Sequence, residues 1–205
     1  MQPPPPVTRA LLIAFLAVFV VQQLPLPLPF DRWLALFPVQ SGFFMPWQVL
    51  TYAFLHTDFS HVFFNMLALW MFGVELELLW GAKRYIQFLL AGALAAAAVY
   101  VLIAFVMPVQ PIVGASGAIF GLLVAWGVLF PNRQIMFFMV YPTTMRMAVF
   151  LFGGLEILIL VINRGSGAAT NIAHLGGMAG GYLMILWWRH RPPSFRRNAP
   201  IRRVK

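Results

Sequence analysis

Six apolar stretches, separated by polar or proline-rich breaks, run along the chain: roughly Ala10–Leu24, Ser60–Leu79, Tyr85–Val106, Ala115–Phe130, Met145–Ile162 and Ala169–Trp188. A helix needs about 20 apolar residues to cross a bilayer, or somewhat fewer where the bilayer thins. The pattern therefore predicts an all-α, polytopic membrane protein with six transmembrane helices, the first and fourth of them short. Arg9 ahead of the first stretch could mark a signal-peptide core, but Leu24-Pro25-Leu26-Pro27-Leu28-Pro29 offers no small-residue cleavage site. That stretch is expected to be a retained helix.

Composition strengthens this picture. Of 205 residues, 61% are hydrophobic and 9% charged, whereas a soluble domain carries about 25% charged residues. The net charge of +9 could suggest nucleic acid, but its placement argues otherwise. Seven of the fourteen Lys and Arg fall in Arg189–Lys205. A basic tail after a spanning helix reads as a cytoplasmic topology signal that also meets anionic headgroups. No nucleic-acid partner is expected.

Six spans put both termini on one side. With them inside, Arg9, Lys83, Arg84, Arg133, Arg146 and the seven tail charges lie inside, against Arg32 and Arg164 outside. The positive-inside rule thus gives an N-in, C-in topology. Residues 1–9 form a cytoplasmic N-terminus, 10–188 the membrane domain and 189–205 the cytoplasmic tail. Within the domain, 25–59 forms an external loop whose Trp33, Phe37, Phe43, Phe44 and Trp47 suit the membrane interface.

Polar residues inside spans are costly and invite functional readings. His61 and Asn65 lie on the second stretch, Ser116 on the fourth and His174 on the sixth. All three stretches start at the outer face under this topology. Asn65, Ser116 and His174 then sit roughly 5–10 Å below that face, at about 1.5 Å rise per residue. One level thus holds an amide, a hydroxyl and an imidazole. A serine hydroxyl needs a base to become a nucleophile, and His174 can be that base. The oxyanion formed by attack on a carbonyl needs donors. Asn65, His61 and the backbone N–H of Ser116 can supply them. Gly117 and Gly121, and likewise Gly177 and Gly181, form small-residue ridges that let the fourth and sixth helices approach closely, with Gly114 opening the fourth. The sixth span has no acidic residue to orient His174, which favours a Ser116–His174 dyad over a triad. Glu156, inside the fifth stretch, is either functional or a structural carboxyl. His56 reads as a loop-ordering residue and His190 as solvated. The histidine spacing suggests no metal site, and the absence of cysteine removes thiolate chemistry.

These motifs resemble the rhomboid family. His56-Thr57-Asp58-Phe59-Ser60-His61-Val62-Phe63-Phe64-Asn65 is similar to its His-x-x-x-Asn stretch with an upstream histidine. Gly114-Ala115-Ser116-Gly117 resembles its Gly-x-Ser-Gly nucleophile motif. Ala173-His174-Leu175-Gly176-Gly177 with Gly181 resembles its last-helix motif, and Gly73, Leu76-Glu77, Gly81 and Arg84 its signature after the second helix. The resemblance covers about residues 45–188. It implies a rhomboid-like bundle in the basic six-helix form. It also implies an intramembrane serine protease that needs no cofactor and cuts single-span proteins in the lipid bilayer, here of a bacterial inner membrane. Phe120 stands where the family often has Tyr. The competing functions are a catalytically inactive rhomboid-like binder of membrane proteins and a small transporter. The first would be marked by loss of Ser116 or His174. The second would be marked by midplane charge pairs or an inverted repeat, which the sequence lacks.

Overall fold

The computed structural model describes residues 3–25, 29–137, 140–163 and 168–190. Arg164 and the basic tail beyond His190, both used in the topology argument, lie outside the described residues. Six long helices occupy the six apolar stretches: α1 (Pro6–Gln22), α2 (Phe59–Trp80), α3 (Ala82–Ala104), α4 (Ser116–Leu129), α5 (Met145–Asn163) and α6 (Ala168–His190). By length and composition α2, α3 and residues Met145–Ile162 of α5 can each cross a membrane, while α1 and α4 are shorter apolar helices. α6 has the length but carries Thr170, Asn171 and His174. The protein is thus a mostly helical integral membrane protein.

Local chemistry sets the helix boundaries. Asp58 caps α2: its carboxylate accepts from the His61 N–H at 2.9 Å, from Thr57 Oγ1 at 2.8 Å and from Ser60 Oγ. The Ser60 hydroxyl, the His61 N–H and the Thr57 hydroxyl together hold the Asp58 carboxyl well below the usual carboxylate range. Gly81, at φ 76°, turns the chain from α2 into α3. The first turn of α1 is capped from another helix. Val7 N–H donates to Glu77 Oε1 at 2.8 Å, and Thr8 N–H and Oγ1 donate to Oε2 at 2.7 and 2.8 Å. Within α2, residues Leu69–Gly73 widen into a π-turn. The carbonyl of Phe72 there accepts from the indole N–H of Trp126 at 2.9 Å, a common fate of a backbone group released by such a turn.

The centre of the bundle is α3, α4 and α6, with α6 packed most extensively against the other two. Small residues make this possible. A Cβ on Gly177 would collide with the carbonyl of Gly117, and one on Gly181 would stand 2.8 Å from the Cα of Gly121. The two predicted ridges therefore face one another. On its other side α6 sets Gly176 and Gly180 against Val99, Ala95 and Ala91 of α3, an alanine-rich face that the ridge motifs alone did not indicate.

Two features depart from a purely helical expectation. Strands β1 (Gln134–Phe137) and β2 (Tyr141–Thr144) pair antiparallel between α4 and α5. Pro131, Asn132 and Pro142 disfavour helix there, and Thr143 and Thr144 favour strand. The long first loop, expected as an interfacial segment, folds into short helical turns around Gln48, which is fully buried. Its Oε1 accepts from Phe37 and Met45 N–H at 3.3 and 3.1 Å. Its Nε2 donates to the carbonyls of Arg32, Trp33 and Phe43 at 3.1–3.4 Å. Leu36 and Ile112 then exchange backbone hydrogen bonds, tying this loop to the segment ahead of α4.

Candidate active site

The segment before α4 is shaped by Gly114. Its φ of 114° lies where only glycine is comfortable, and its N–H donates to the carbonyl of Tyr52 at 2.9 Å. Tyr52 is itself buried, with its hydroxyl donating to the Ala93 carbonyl at 2.8 Å. Loop, α3 and the start of α4 are thereby fixed together. Ser116 follows as the first residue of α4.

His174 enters from the first half of α6. Its Nε2 lies 2.7 Å from Ser116 Oγ. Phe120, one turn beyond Ser116, stacks on the imidazole at 4.4 Å between centroids and 11° between planes. On the other ring nitrogen, Nδ1 stands 3.0 Å from Glu156 Oε1, off the line of an ideal hydrogen bond. Glu156 comes from α5, and its Oε2 accepts from Asn171 Nδ2. The sixth span has no acidic residue, which is why its sequence favours a dyad; the carboxyl beside His174 comes from the fifth. An intramembrane carboxyl at Glu156 and an amide at Asn171, one turn from His174, were the available signals.

His61 and Asn65 converge on Gly114. A Cβ there would meet His61 Nε2 at 2.6 Å and Asn65 Nδ2 at 3.6 Å. Asn65 is buried and its Nδ2 has no hydrogen-bond partner. His61 Nδ1 contacts Thr57, whose Oγ1 is 3.0 Å away. His56 is buried beside His61, ring edge to face at 5.1 Å, and packs on Phe15 in the same manner. Burial first, then the charge of His61, push the His56 imidazole down to about 4; neither of its ring nitrogens has a hydrogen-bond partner. Thus α2, α4 and α6 each deliver their predicted polar residues to one end of the bundle, and α5 adds a carboxylate. A surface cleft of about 500 Å³, lined by Pro38, Gln40, Ser41 and residues 104–109, contains none of these groups.

A helical membrane bundle with a hydroxyl–imidazole pair and an unpartnered amide at one end defines the class of protein. The chain belongs to the rhomboid family: the family description Rhomboid domain matches residues 44–191. The chain is 34% identical over 141 residues to Rhomboid protease GluP of Bacillus subtilis, covering 67% of this chain and 25% of that protein. It is 34% identical over 147 residues to Rhomboid protein 1, mitochondrial, of Saccharomyces cerevisiae, covering 66% and 40%. It is 32% identical over 165 residues to RHOMBOID-like protein 12, mitochondrial, of Arabidopsis thaliana, covering 72% and 47%. The chain therefore spans between a quarter and a half of the length of these relatives, which include bacterial and mitochondrial proteins.

Proposed function

We propose that this protein is an intramembrane serine endopeptidase that cleaves transmembrane segments of single-span proteins near the outer face of the membrane. The observation that carries this reading is the 2.7 Å contact between Ser116 Oγ and His174 Nε2. Ser116 Oγ attacks the scissile carbonyl carbon and passes its proton to His174 Nε2. The carbonyl oxygen becomes an oxyanion, which takes hydrogen bonds from Asn65 Nδ2, His61 Nε2 and the Ser116 N–H. The C–N bond then breaks, the leaving amine takes the proton from His174, and an acyl-Ser116 ester remains. His174 next removes a proton from water, whose oxygen attacks the ester carbon; the bond from that carbon to Ser116 Oγ then breaks, Oγ takes the proton back from His174, and the carboxyl product leaves. The unpartnered amide of Asn65 beside Gly114 supports the oxyanion assignment.

All six helices cross the membrane in this reading, with both termini inside. Two contacts support grouping the basic residues at one end. Arg133 pairs with Glu75 at 2.6 Å, and Arg84 lies 5.0 Å over the ring of Trp188. The site helices start at the opposite end. A substrate helix must unwind to present a peptide bond there, because lipid strongly favours closed backbone hydrogen bonds. Segments weakened by Gly or Pro should be cut best, after a small residue that suits the glycine-rich ground around Ser116. The test is a labelled fluorophosphonate in membranes. It should label the wild type at Ser116 and not label Ser116→Ala. Equal labelling of both refutes the reading.

A further inference from the structure

We propose that Glu156 is a positioning residue for His174, held in place by Asn171, so that the site works as a triad assembled from three helices. This rests on the protease reading above. Glu156 is 8% exposed and sits in an apolar helix, where an unpartnered carboxylate would be costly. Both of its oxygens are engaged by α6: Oε1 lies 3.0 Å from His174 Nδ1, and Oε2 accepts from Asn171 Nδ2. Asn171 precedes His174 by three residues, so the two share a face of α6 and can grip one carboxylate.

This arrangement has a chemical consequence. A carboxylate beside Nδ1 holds the ring proton on that nitrogen. The lone pair then lies on Nε2, which faces Ser116 Oγ. That is the tautomer able to take the serine proton. When the proton moves, the ring becomes an imidazolium with Glu156 on one side and Phe120 stacked on its face. Phe120 also meets Phe152 edge-on at 6.3 Å, one turn before Glu156 on α5. The same face of α5 thus supplies the ring that backs Phe120 and the carboxylate that backs His174.

The experiment uses the purified full chain, a transmembrane substrate and the fluorophosphonate probe. Glu156→Gln keeps the shape and removes the charge. Its kcat should fall by about 10²-fold or more, with KM within about twofold of wild type and with an unchanged thermal unfolding temperature. Fluorophosphonate labelling of Ser116 should slow in parallel. Glu156→Asp, which keeps the charge, should recover at least about tenfold of the kcat lost in Glu156→Gln. Asn171→Ala leaves the carboxylate in the chain but frees its Oε2, and should also lower kcat without raising KM. Wild-type kcat in Glu156→Gln overturns the proposal. So does an activity loss that tracks a lower unfolding temperature and is not relieved by Asp. Should neither Glu156 variant fold, Asn171→Ala decides: a lower kcat at constant KM supports the role, and wild-type kcat refutes it. Ser116→Ala separates the two levels of inference. Activity persisting there removes the protease reading itself. A dead Ser116→Ala beside a fully active Glu156→Gln removes only the triad.

Discussion

Replacing Gly177 with Ala adds one methyl group at the contact that spaces α4 from α6. That Cβ would overlap the carbonyl oxygen of Gly117 and stand 2.6 Å from its carbon and 2.9 Å from its Cα, where ordinary contact begins at 3.4 Å. The obstacle is backbone, so no rotamer change relieves it. The shortfall is about 0.8 Å at the Gly117 carbon and larger at its oxygen, so the helices must part by more than about 0.8 Å. Overpacking of this kind costs about 1–3 kcal/mol. For a chain of this length that is a fall in Tm of about 3–10 °C. The same motion opens the 2.7 Å contact between Ser116 and His174 to the limit of hydrogen bonding. A misplacement of about 1 Å at reacting groups can cost about 10²-fold in rate. Gly154→Ala on α5 is the internal control, because a Cβ there meets nothing within 4 Å. Thermal unfolding and substrate cleavage are measured on both variants. Gly154→Ala should behave as wild type. Gly177→Ala should lose stability and activity together, and Gly177→Leu should lose more of each. Equal behaviour of the two alanine variants would refute the argument that the glycine ridges set the active geometry.

Asn65→Ala should slow cleavage by about 10²–10³-fold, the usual effect of one oxyanion donor, and steady-state rates at saturating substrate will show it; an unchanged rate would remove Asn65 from the site. His56 has a folded value lowered to about 4 from an unfolded value near 6.5. Its contribution to stability is therefore complete above about pH 6.5 and is lost as pH falls toward 4, by about 1–3 kcal/mol after screening. His56→Phe should flatten the unfolding free energy across that window, and an unaltered pH dependence would contradict the assignment. Gln48→Ala leaves two N–H groups and three carbonyls without their buried partner. It should cost about 2–4 kcal/mol and expose residues 30–55 to limited proteolysis. Protease resistance equal to wild type would show that the loop is held by other contacts. Reporters fused at Met1 and after Lys205 should both read cytoplasmic, and an external signal from either would overturn the common starting face of α2, α4 and α6.

The helices were legible because bilayer-length apolar runs are bounded by charges, prolines and glycines. Ala10–Leu24 became Pro6–Gln22, and Met145–Ile162 became Met145–Asn163. The meeting of Ser116 with His174 was legible too, since each sits just ahead of a glycine pair at the same spacing, and paired ridges fix both distance and rotation. The partner of His174 was not. α5 is apolar on every side, and lipid is as apolar as a protein core. Hydrophobic periodicity therefore cannot say which face of α5 turns inward, or that Glu156 meets α6. The alanine face of α3 was hidden for the same reason. Gln48 was missed for a different one. It is a single amide in an aromatic loop, and its five backbone partners exist only once that loop has folded.

Polar satisfaction connects the fold to the proposed chemistry. In an apolar surrounding each amide, imidazole or carboxyl needs a partner near it. Most of those at the site end of the bundle have one. Asp58 takes Thr57, Ser60 and the His61 N–H. Glu156 takes Asn171 and the Nδ1 side of His174, and His174 reaches Ser116. The contacts of Glu156 and His174 run from helix to helix, so they fix the helices' relative rotation as well as satisfying the groups. The two ring nitrogens of His56 have no hydrogen-bond partner, and neither has Asn65 Nδ2. Asn65 Nδ2 is buried, it is a donor, and it has no acceptor. It lies against Gly114, whose missing side chain makes room for the His61 ring beside it. A buried donor without an acceptor is costly in the resting protein. On the protease reading that cost is returned when negative charge develops on the substrate oxygen, because the donor is already aimed and no partner has to be broken to free it. The stabilisation then falls on the transition state more than on the bound substrate. Asn65→Ala should for that reason lower kcat and leave KM nearly unchanged. A variant that raised KM at constant kcat would place Asn65 in substrate binding instead.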